Sequence, residues 1–520
     1  MKKTFERLVL AFVILSCNKL QQEDVQPPGN VIPETETITI TANLGPKSGG
    51  TKAVADNGDN RITVSWAVDE HMAILYEAGG VRKRADARIT EVASDGSATI
   101  EFRVEGAEND TPCTLVYPLA AARDDHSGLK DAAELLAAQD GTLNANLDVR
   151  VGEGVIRMNP ATVSGSLSVT SQPAPQFAIF KITLRNASLS AAIKAKPLIV
   201  TIGEQGYTVT PSAATDVLYA ALPAVSGEKV TFDAVDSEKR TWLFSAPSVS
   251  FTAGRYYQST LKMREYVDMG EVTVNGEKKI LKWAVCNVGA ENPWEHGDYF
   301  AWGDPTPYYK PGHALDNPFD DSNWRDGKTG YNWDSYSWLE EDIAAAHWGD
   351  PWRMPTLHEW RTFYSDDFER TWTSVYSHEP SHAGTAGMLI RRNSGPCKGN
   401  QIFLPVTDSW KGKNGPSDFI AGIYWSSNRT TPTNAGCMVF DYIFNELSGG
   451  PLGSAGFCDG LPVRPVIEVK VKVEDNDGTI PINHLPTDGE DSGGGGGNGD
   501  GNESSVGGGD GVDLDDGDEF

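Results

Sequence analysis

The chain has 520 residues and a formal net charge of −28; 39% of it is apolar and 9% aromatic, with 54 Gly and 30 Pro. At roughly 100–200 residues per domain this length expects about three domains, and the many turn formers expect short strands rather than long helices. So acidic a chain excludes nucleic acid as a partner, because phosphate binding needs clustered Lys and Arg. Beyond the N-terminus no apolar run approaches the ~20 residues that span a bilayer, which excludes a polytopic membrane protein.

Lys2, Lys3 and Arg7 precede the apolar stretch Leu8 to Leu15, followed by Ser16 and Cys17. A basic segment, a short apolar core and a small residue read as a signal peptide over 1–16. The run Ile14-Leu15-Ser16-Cys17 resembles the bacterial lipobox, with Leu15 in place of the usual small residue. The resemblance implies that Cys17 is acylated and anchors the chain in the outer membrane, since multiple acyl chains hold stably where one does not. Residues 17–35 then form a tether. Their acidic pair Glu23-Asp24 is similar to the surface-export signal of Bacteroidetes lipoproteins.

From Glu36 the sequence reads as strands: "TITITANL", "ITVSWAV", "HMAILYEA", "ATIEFRVEG" and "CTLVYPL", separated by Gly, Asn and Asp clusters. Alternation with period two expects an antiparallel sandwich with one wet face, placed at 36–158. One stretch, Asp131 to Gln139 ("DAAELLAAQ"), expects a helix. A second β-rich block at 159–264 contains "FAIFKITLRN", "PLIVTIGEQ", "VLYAALPAV", "KVTFDAV", "TWLFSAPSVSFTAG" and "YYQSTLKM".

The order of these motifs, with Thr51-Lys52-Ala53 after the first strand, Trp66, Val116-Tyr117-Pro118 and the closing "FTAGRYYQSTLKM", resembles the fimbrillin-like lipoproteins of Bacteroidetes. The resemblance implies two tandem transthyretin-like β-sandwiches, with other fimbrillin subunits as partners through donor-strand exchange. In that exchange a trypsin-like protease removes the first strand and a neighbour's strand enters the groove. The physics is β-augmentation, in which an emptied strand position exposes backbone polar groups and apolar pockets. The basic residues that follow the first strand are Lys47, Lys52 and Arg61; Lys in place of the family's Arg leaves open whether these are processing sites or ordinary solvated charges.

Composition shifts at about Tyr266: twelve of the 14 Trp lie between Trp283 and Trp425. Cys286-Asn287-Val288-Gly289-Ala290, Trp352-Arg353-Met354-Pro355-Thr356, Tyr424-Trp425-Ser426-Ser427 and Val463-Arg464-Pro465-Val466 resemble the "major paralogous domain" family, which implies a C-type-lectin-like α+β fold over 266–468. The fold class expected is therefore mainly β: two sandwiches followed by this α+β domain. Thr356 and Glu359 read as a capping box opening a short helix. Arg353 and Arg464, set among aromatic and β-branched residues, read as hydrogen-bonding struts rather than ligand clamps.

Asp304 to Trp338 reads as a long loop. Its Tyr308, Tyr309, Trp324, Tyr331, Trp333, Tyr336 and Trp338, interleaved with Asp, Asn and Gly, suit stacking on sugar rings with hydroxyls bonded at a polar rim. Packing of the loop onto its own domain is the alternative. No catalytic residue, cofactor or metal is expected. The Glu-Pro-Asn and Trp-Asn-Asp letters of calcium-dependent lectins do not occur, nor does the closely spaced cysteine pair of formylglycine-generating enzymes. His378-Glu379-Pro380-Ser381-His382 matches HExxH by letters, but Pro380 cannot sit inside the helix that zinc ligation at i, i+4 needs. Cys437 and Cys458 are placed to pair; Cys113 and Cys286 read as small buried residues. Residues 469–520 form an acidic, Gly-rich tail that cannot bury a core.

Together these readings expect a cell-surface lipoprotein adhesin, a tip or accessory fimbrillin displaying a lectin-like head toward glycan or matrix. Two alternatives stay open: a structural or anchor subunit without ligand binding, and a glycan-binding lipoprotein independent of fibres.

Overall fold

The computed structural model describes residues 37–46, 55–56, 62–159, 162, 164–307, 341–376, 385–407, 421–431, 434–441, 452–457 and 459–470. The protein is mainly β. Its first body comprises β1 (Thr37–Leu44), β2 (Ala55–Asp56), β3 (Ile62–Thr63), β4 (His71–Ala78), β5 (Val81–Val92), β6 (Ala98–Glu105), β7 (Thr111–Tyr117), β8 (Arg150–Asn159) and β9 (Ser164–Pro175). The order β1-β6-β5-β4-β7-β8-β9 closes into a barrel, because β9 curls back to β1. Alternation drives the inward face: Ile40, Ile74, Ala87, Ile89, Ile100, Leu115 and Ile156 are all fully buried. Trp66 packs edge-on against Tyr117 at 5.3 Å beneath them. The "ITVSWAV" segment is a strand only at Ile62–Thr63, and its Trp66 reaches the core from irregular backbone.

The second body contains β10 (Phe177–Asn186), β11 (Ala195–Ile202), β12 (Gln205–Val209), β13 (Val217–Pro223), β14 (Val225–Asp236), β15 (Thr241–Phe251) and β16 (Tyr256–Val274), ordered β12-β11-β14-β15-β16-β10-β13. No thin linker separates it from the barrel. Ala73, Leu75 and Val116 of the barrel share one apolar cluster with Ile182, Leu198, Leu218 and Met263 of the second body.

The expected helix at 131–139 shrinks to one turn, α1 (Ala132–Leu135). Its continuation is pulled into the neighbouring sheet. Gln139 is buried; its Oε1 accepts from the Ala221 amide at 2.7 Å and its Nε2 donates to the Ala221 carbonyl at 3.2 Å. The Tyr219 amide donates to Gly141 O and the Thr210 amide to Gln139 O, each at 2.8 Å. Residues 139–141 thereby cover backbone groups of β13 and of Thr210 at the end of β12, which a helix could not do.

Strand β16 runs 19 residues, roughly 60 Å at the strand rise. It pairs in parallel with β10 from Tyr256 to Met263 and antiparallel with β15 from Arg264 to Tyr266. It then pairs with β17 (Glu277–Ala284) from Tyr266 to Val274. The boundary expected at residues 264–266 falls in mid-strand. Beyond it lie α2 (Ile343–Trp348), α3 (Leu357–Thr362), the sheet of β18 (Phe368–Tyr376), β19 (Thr385–Arg392) and β20 (Gln401–Pro405), and the sheet of β21 (Ala421–Arg429), β22 (Asn434–Asp441) and β23 (Leu452–Gly456). The last strand, β24 (Val466–Lys470), pairs with β17. The capping box is present: Thr356 accepts from the Glu359 amide at 3.1 Å, and Glu359 accepts from the Thr356 amide at 2.8 Å. Trp283, Trp360, Phe363 and Tyr424 form the fully buried centre of this third body, with Trp283 and Trp360 centroids 4.6 Å apart.

Replacing Gln139 by Ala strands both Ala221 backbone groups in an apolar setting, so Gln139→Ala is expected to lower the unfolding free energy by about 2 kcal/mol. Chemical denaturation checks this, with exposed Asp124→Ala as the control expected to stay within about 0.5 kcal/mol.

Candidate functional site

Two places have the construction of a functional site, and the first is the slot that β1 fills. Eight antiparallel pairs join β1 to β6, from Thr37↔Glu105 to Leu44↔Ala98, whereas one parallel pair, Ile40↔Gly165, joins it to β9. The seam on the β9 side is therefore held by packing more than by a ladder. Ile38, Ile40, Ala42 and Leu44 point into the barrel core. At about 1.5–3 kcal/mol for each large side chain, Ile38, Ile40 and Leu44 contribute roughly 5–9 kcal/mol, comparable with the whole stability of a domain. A barrel without this strand needs a replacement.

Side chains from outside the strand fix the end of the slot. The Gly45 amide donates to Gln172 Oε1 at 3.0 Å, and Trp66 Nε1 donates to the Gly45 carbonyl at 3.0 Å. Gly165 lies under Ile40: a Cβ there would stand 2.9 Å from Ile40 Cγ1 and 3.0 Å from Met158 Sδ. Trp66 stood out in the sequence as part of a motif. Nothing in the sequence marked Gln172 or Gly165, whose importance exists only across strands.

The second place is the base of the aromatic loop. Trp302 Nε1 donates to Ser426 O at 2.8 Å, and its ring stacks on Phe457 at 4.8 Å. Asp304 is buried and accepts from the Thr306 amide at 2.9 Å. On the returning side Asp342 caps α2 by accepting from the Ala345 amide at 3.0 Å, and it also accepts from the Met354 amide at 2.9 Å. His347 Nε2 meets Pro305 O at 2.7 Å and so ties the outgoing flank to the returning one.

Arg353 and Arg464 are the struts expected. Arg353 forks onto Glu359, with Nη1 to Oε2 at 2.8 Å, and also reaches Glu468 Oε2 at 2.9 Å. Arg464, fully buried, donates to Asn287 Oδ1 at 2.7 Å and to the carbonyls of Ala284 and Val285. Burial pushes the Cys113 and Cys286 thiols up to about 12. Among the described residues no group of three or more His, Cys, Asp or Glu is placed to hold a metal ion.

Cys17, Lys47, Lys52, Arg61, Tyr308, Tyr309, Trp324, Tyr331, Trp333, Tyr336 and Trp338 lie outside the described residues, as do His378 to His382, Cys458 and residues 471–520 of the acidic tail; Val469 and Lys470, assigned to that tail from the sequence, instead pair with β17 as the end of β24.

Where the second body meets the third, Arg264 sits over the Trp348 ring at 4.5 Å, Trp348 meets Trp352 edge-on at 5.1 Å, and Lys229 pairs with Asp350. The Tyr266 hydroxyl donates to Asp233 Oδ1 at 2.5 Å and accepts from Lys282 at 3.2 Å. Between these contacts, burial pushes the Glu265 carboxyl up to about 7; Arg240 pulls it down, while Asp236 and Glu238 add to the rise. The folded state therefore holds this proton more tightly than the unfolded chain does. Its contribution to stability is complete below the ordinary value of 4.5 and is lost as pH rises through about 7. Thermal unfolding across that window is expected to show stability falling with rising pH, and Glu265→Gln is expected to flatten the slope.

No family model matches the chain, and no curated protein matches it. Among solved structures it is similar to a fimbrial assembly protein from Parabacteroides distasonis, at 12% identity over 48% of this chain and 96% of that one, with a TM-score of 0.26. A fimbrial protein from Bacteroides ovatus matches at 13% identity over 83% of this chain and 99% of that one, TM-score 0.22. A C-terminally truncated tip fimbrial protein from Porphyromonas gingivalis matches at 9% identity over 44% and 98%, TM-score 0.24.

Proposed function

We propose that the chain is a surface lipoprotein adhesin anchored through Cys17, a tip or accessory subunit of a fimbria-like fibre whose aromatic third body binds glycan or matrix. The observation that supports this most directly is the seating of β1: the first strand among the described residues, with a full ladder on one side, a single bridge on the other, and four inward apolar positions. Such a strand can be exchanged for another of the same pattern without rebuilding the barrel. Cleavage after Lys47, Lys52 or Arg61 would free it, and a neighbouring subunit would supply the replacement. The head reading is supported by the loop base, which holds both flanks of an aromatic-rich segment on a rigid core.

Surface material sheared from native cells, with the N-terminal residue read by mass spectrometry, tests the assembly. Recovery in fibres with a new N-terminus after one of those three residues is expected. Recovery only in membranes with Cys17 still acylated would replace the fibre role with that of an anchor or free-standing binder. For the head, Trp324→Ala, Trp333→Ala and Trp338→Ala in the full chain are each expected to weaken glycan-array or matrix binding up to about tenfold. Unchanged binding in all three removes the loop from the reading.

A further inference from the structure

We propose that the slot between β6 and β9 selects its occupant by side-chain size as well as by strand shape, taking an extended segment of another subunit. This segment carries a bulky aliphatic residue at the position of Ile40, a small one at Ala42, and apolar residues at Ile38 and Leu44. The proposal rests on the strand-exchange reading above and adds to it what the entering strand must look like.

Three observations carry it. Ile38, Ile40, Ala42 and Leu44 are 4%, 0%, 6% and 1% exposed, while Thr39, Thr41 and Asn43 face solvent. Only alternate positions are read, so any occupant must repeat that period. The floor beneath position 40 is Gly165, where even one added carbon would collide with Ile40 and Met158. The barrel has given up a side chain on β9 to make room for a large one on β1, and a small residue there would leave a cavity. At position 42 the opposite holds. Ala42 is buried across from fully buried Ile100, within the cluster that contains Trp66 and Tyr117, and extra methylenes would overpack it.

Register is set independently of sequence. Trp66 and Gln172 grip the carbonyl and amide of residue 45, one position past the last apolar residue. A one-residue slip would turn every apolar side chain outward, and the grip on this backbone position disfavours it. An occupant therefore runs antiparallel to β6 and parallel to β9, with its clamped residue five positions after the bulky one. A Cβ at residue 45 would approach Gln172 Cδ at 3.3 Å, so a larger residue there has to shift the exposed Gln172 amide that grips it.

The test uses the full chain with a specific protease sequence inserted after Lys47, folded and then nicked so that β1 can leave. Fluorescently labelled peptides spanning Thr37 to Pro46 are offered in excess, and exchange is read by polarisation. The parent peptide is expected to enter. Ile40→Ala and Ala42→Phe peptides are expected to bind about 30-fold or more weakly, whereas a Thr41→Ser peptide binds within a few-fold. Gly165→Ala in the chain is expected to weaken the parent peptide and to favour the Ile40→Ala peptide, a reversal that general destabilisation does not produce. Equal binding of parent, Ile40→Ala and Ala42→Phe peptides would overturn the size rule while leaving strand exchange intact. A nicked chain that keeps its own β1 and admits no peptide would overturn strand exchange itself, and the size rule with it.

Discussion

The architecture depends on one constraint: β16 must satisfy its backbone hydrogen bonds over 19 residues while changing partners twice. Its first eight residues lie beside β10, the next three cross to β15, and the remainder pair with β17, which hands the ladder on to β24. Because buried amides and carbonyls cannot go unpaired, a hinge cannot be inserted at the crossing without orphaning several of them. The second and third bodies are therefore joined by a continuous ladder rather than by a tether. Tyr266, at the crossing, shows how tightly the join is made: its backbone carbonyl accepts from Thr241 at 2.6 Å, its hydroxyl binds Asp233, and its ring packs with Leu243, Ala284, Trp352 and Ile467.

The composition change near this crossing has a structural counterpart. Composition changes near residue 266 because one core is aliphatic and the other is rich in Trp, and such a change normally marks a linker. Here it marks a change of partner within one strand. Elements whose own alternation carries the fold were legible: "HMAILYEA" and "FAIFKITLRN" are β4 and β10 to the residue. The capping box of α3 was equally plain, since both of its halves lie within four residues. β5 was not legible, because its inward face at Ala85 and Ala87 is made of the smallest apolar side chain, Lys83 shares that face, and the outward face is mostly Arg and Asp. β8 and β9 hide their pattern behind Gly152, Gly154 and Gly165, which are small because neighbouring strands press on them; a Cβ at Gly152 would stand 2.7 Å from Ser171 O. That requirement is a property of the closed barrel and leaves no local trace.

The struts show the same division. That Arg353 and Arg464 are internal could be argued from their apolar company, but their partners could not. Glu359 lies six residues from Arg353, yet Glu468 is 115 residues away, and Arg464 reaches back 177 residues to Asn287. A guanidinium has five donors in a fixed fork, so one Arg can tie a helix start, a terminal strand and a loop together. Arg353 does this for α3 and β24. Arg464 gathers the backbone that leaves β17 as β24 approaches. In a body with long irregular connections these forks do the joining that a further sheet would otherwise do.

The slot of β1 and the ladder of β16 differ in a way that bears on the fibre reading. The barrel shares its outer face with the second body through Ala73, Leu75 and Val116, and residues 139–141 lock that contact with backbone hydrogen bonds. Among the described residues, the barrel and the second body are joined by a shared apolar cluster, and the second and third bodies by continuous pairing along β16. The β1–β9 seam is where pairing is thin, one bridge beside an eight-pair ladder. On the strand-exchange proposal, a neighbour's segment entering beside β6 would take over that eight-pair ladder, on a barrel that is itself packed onto the second body.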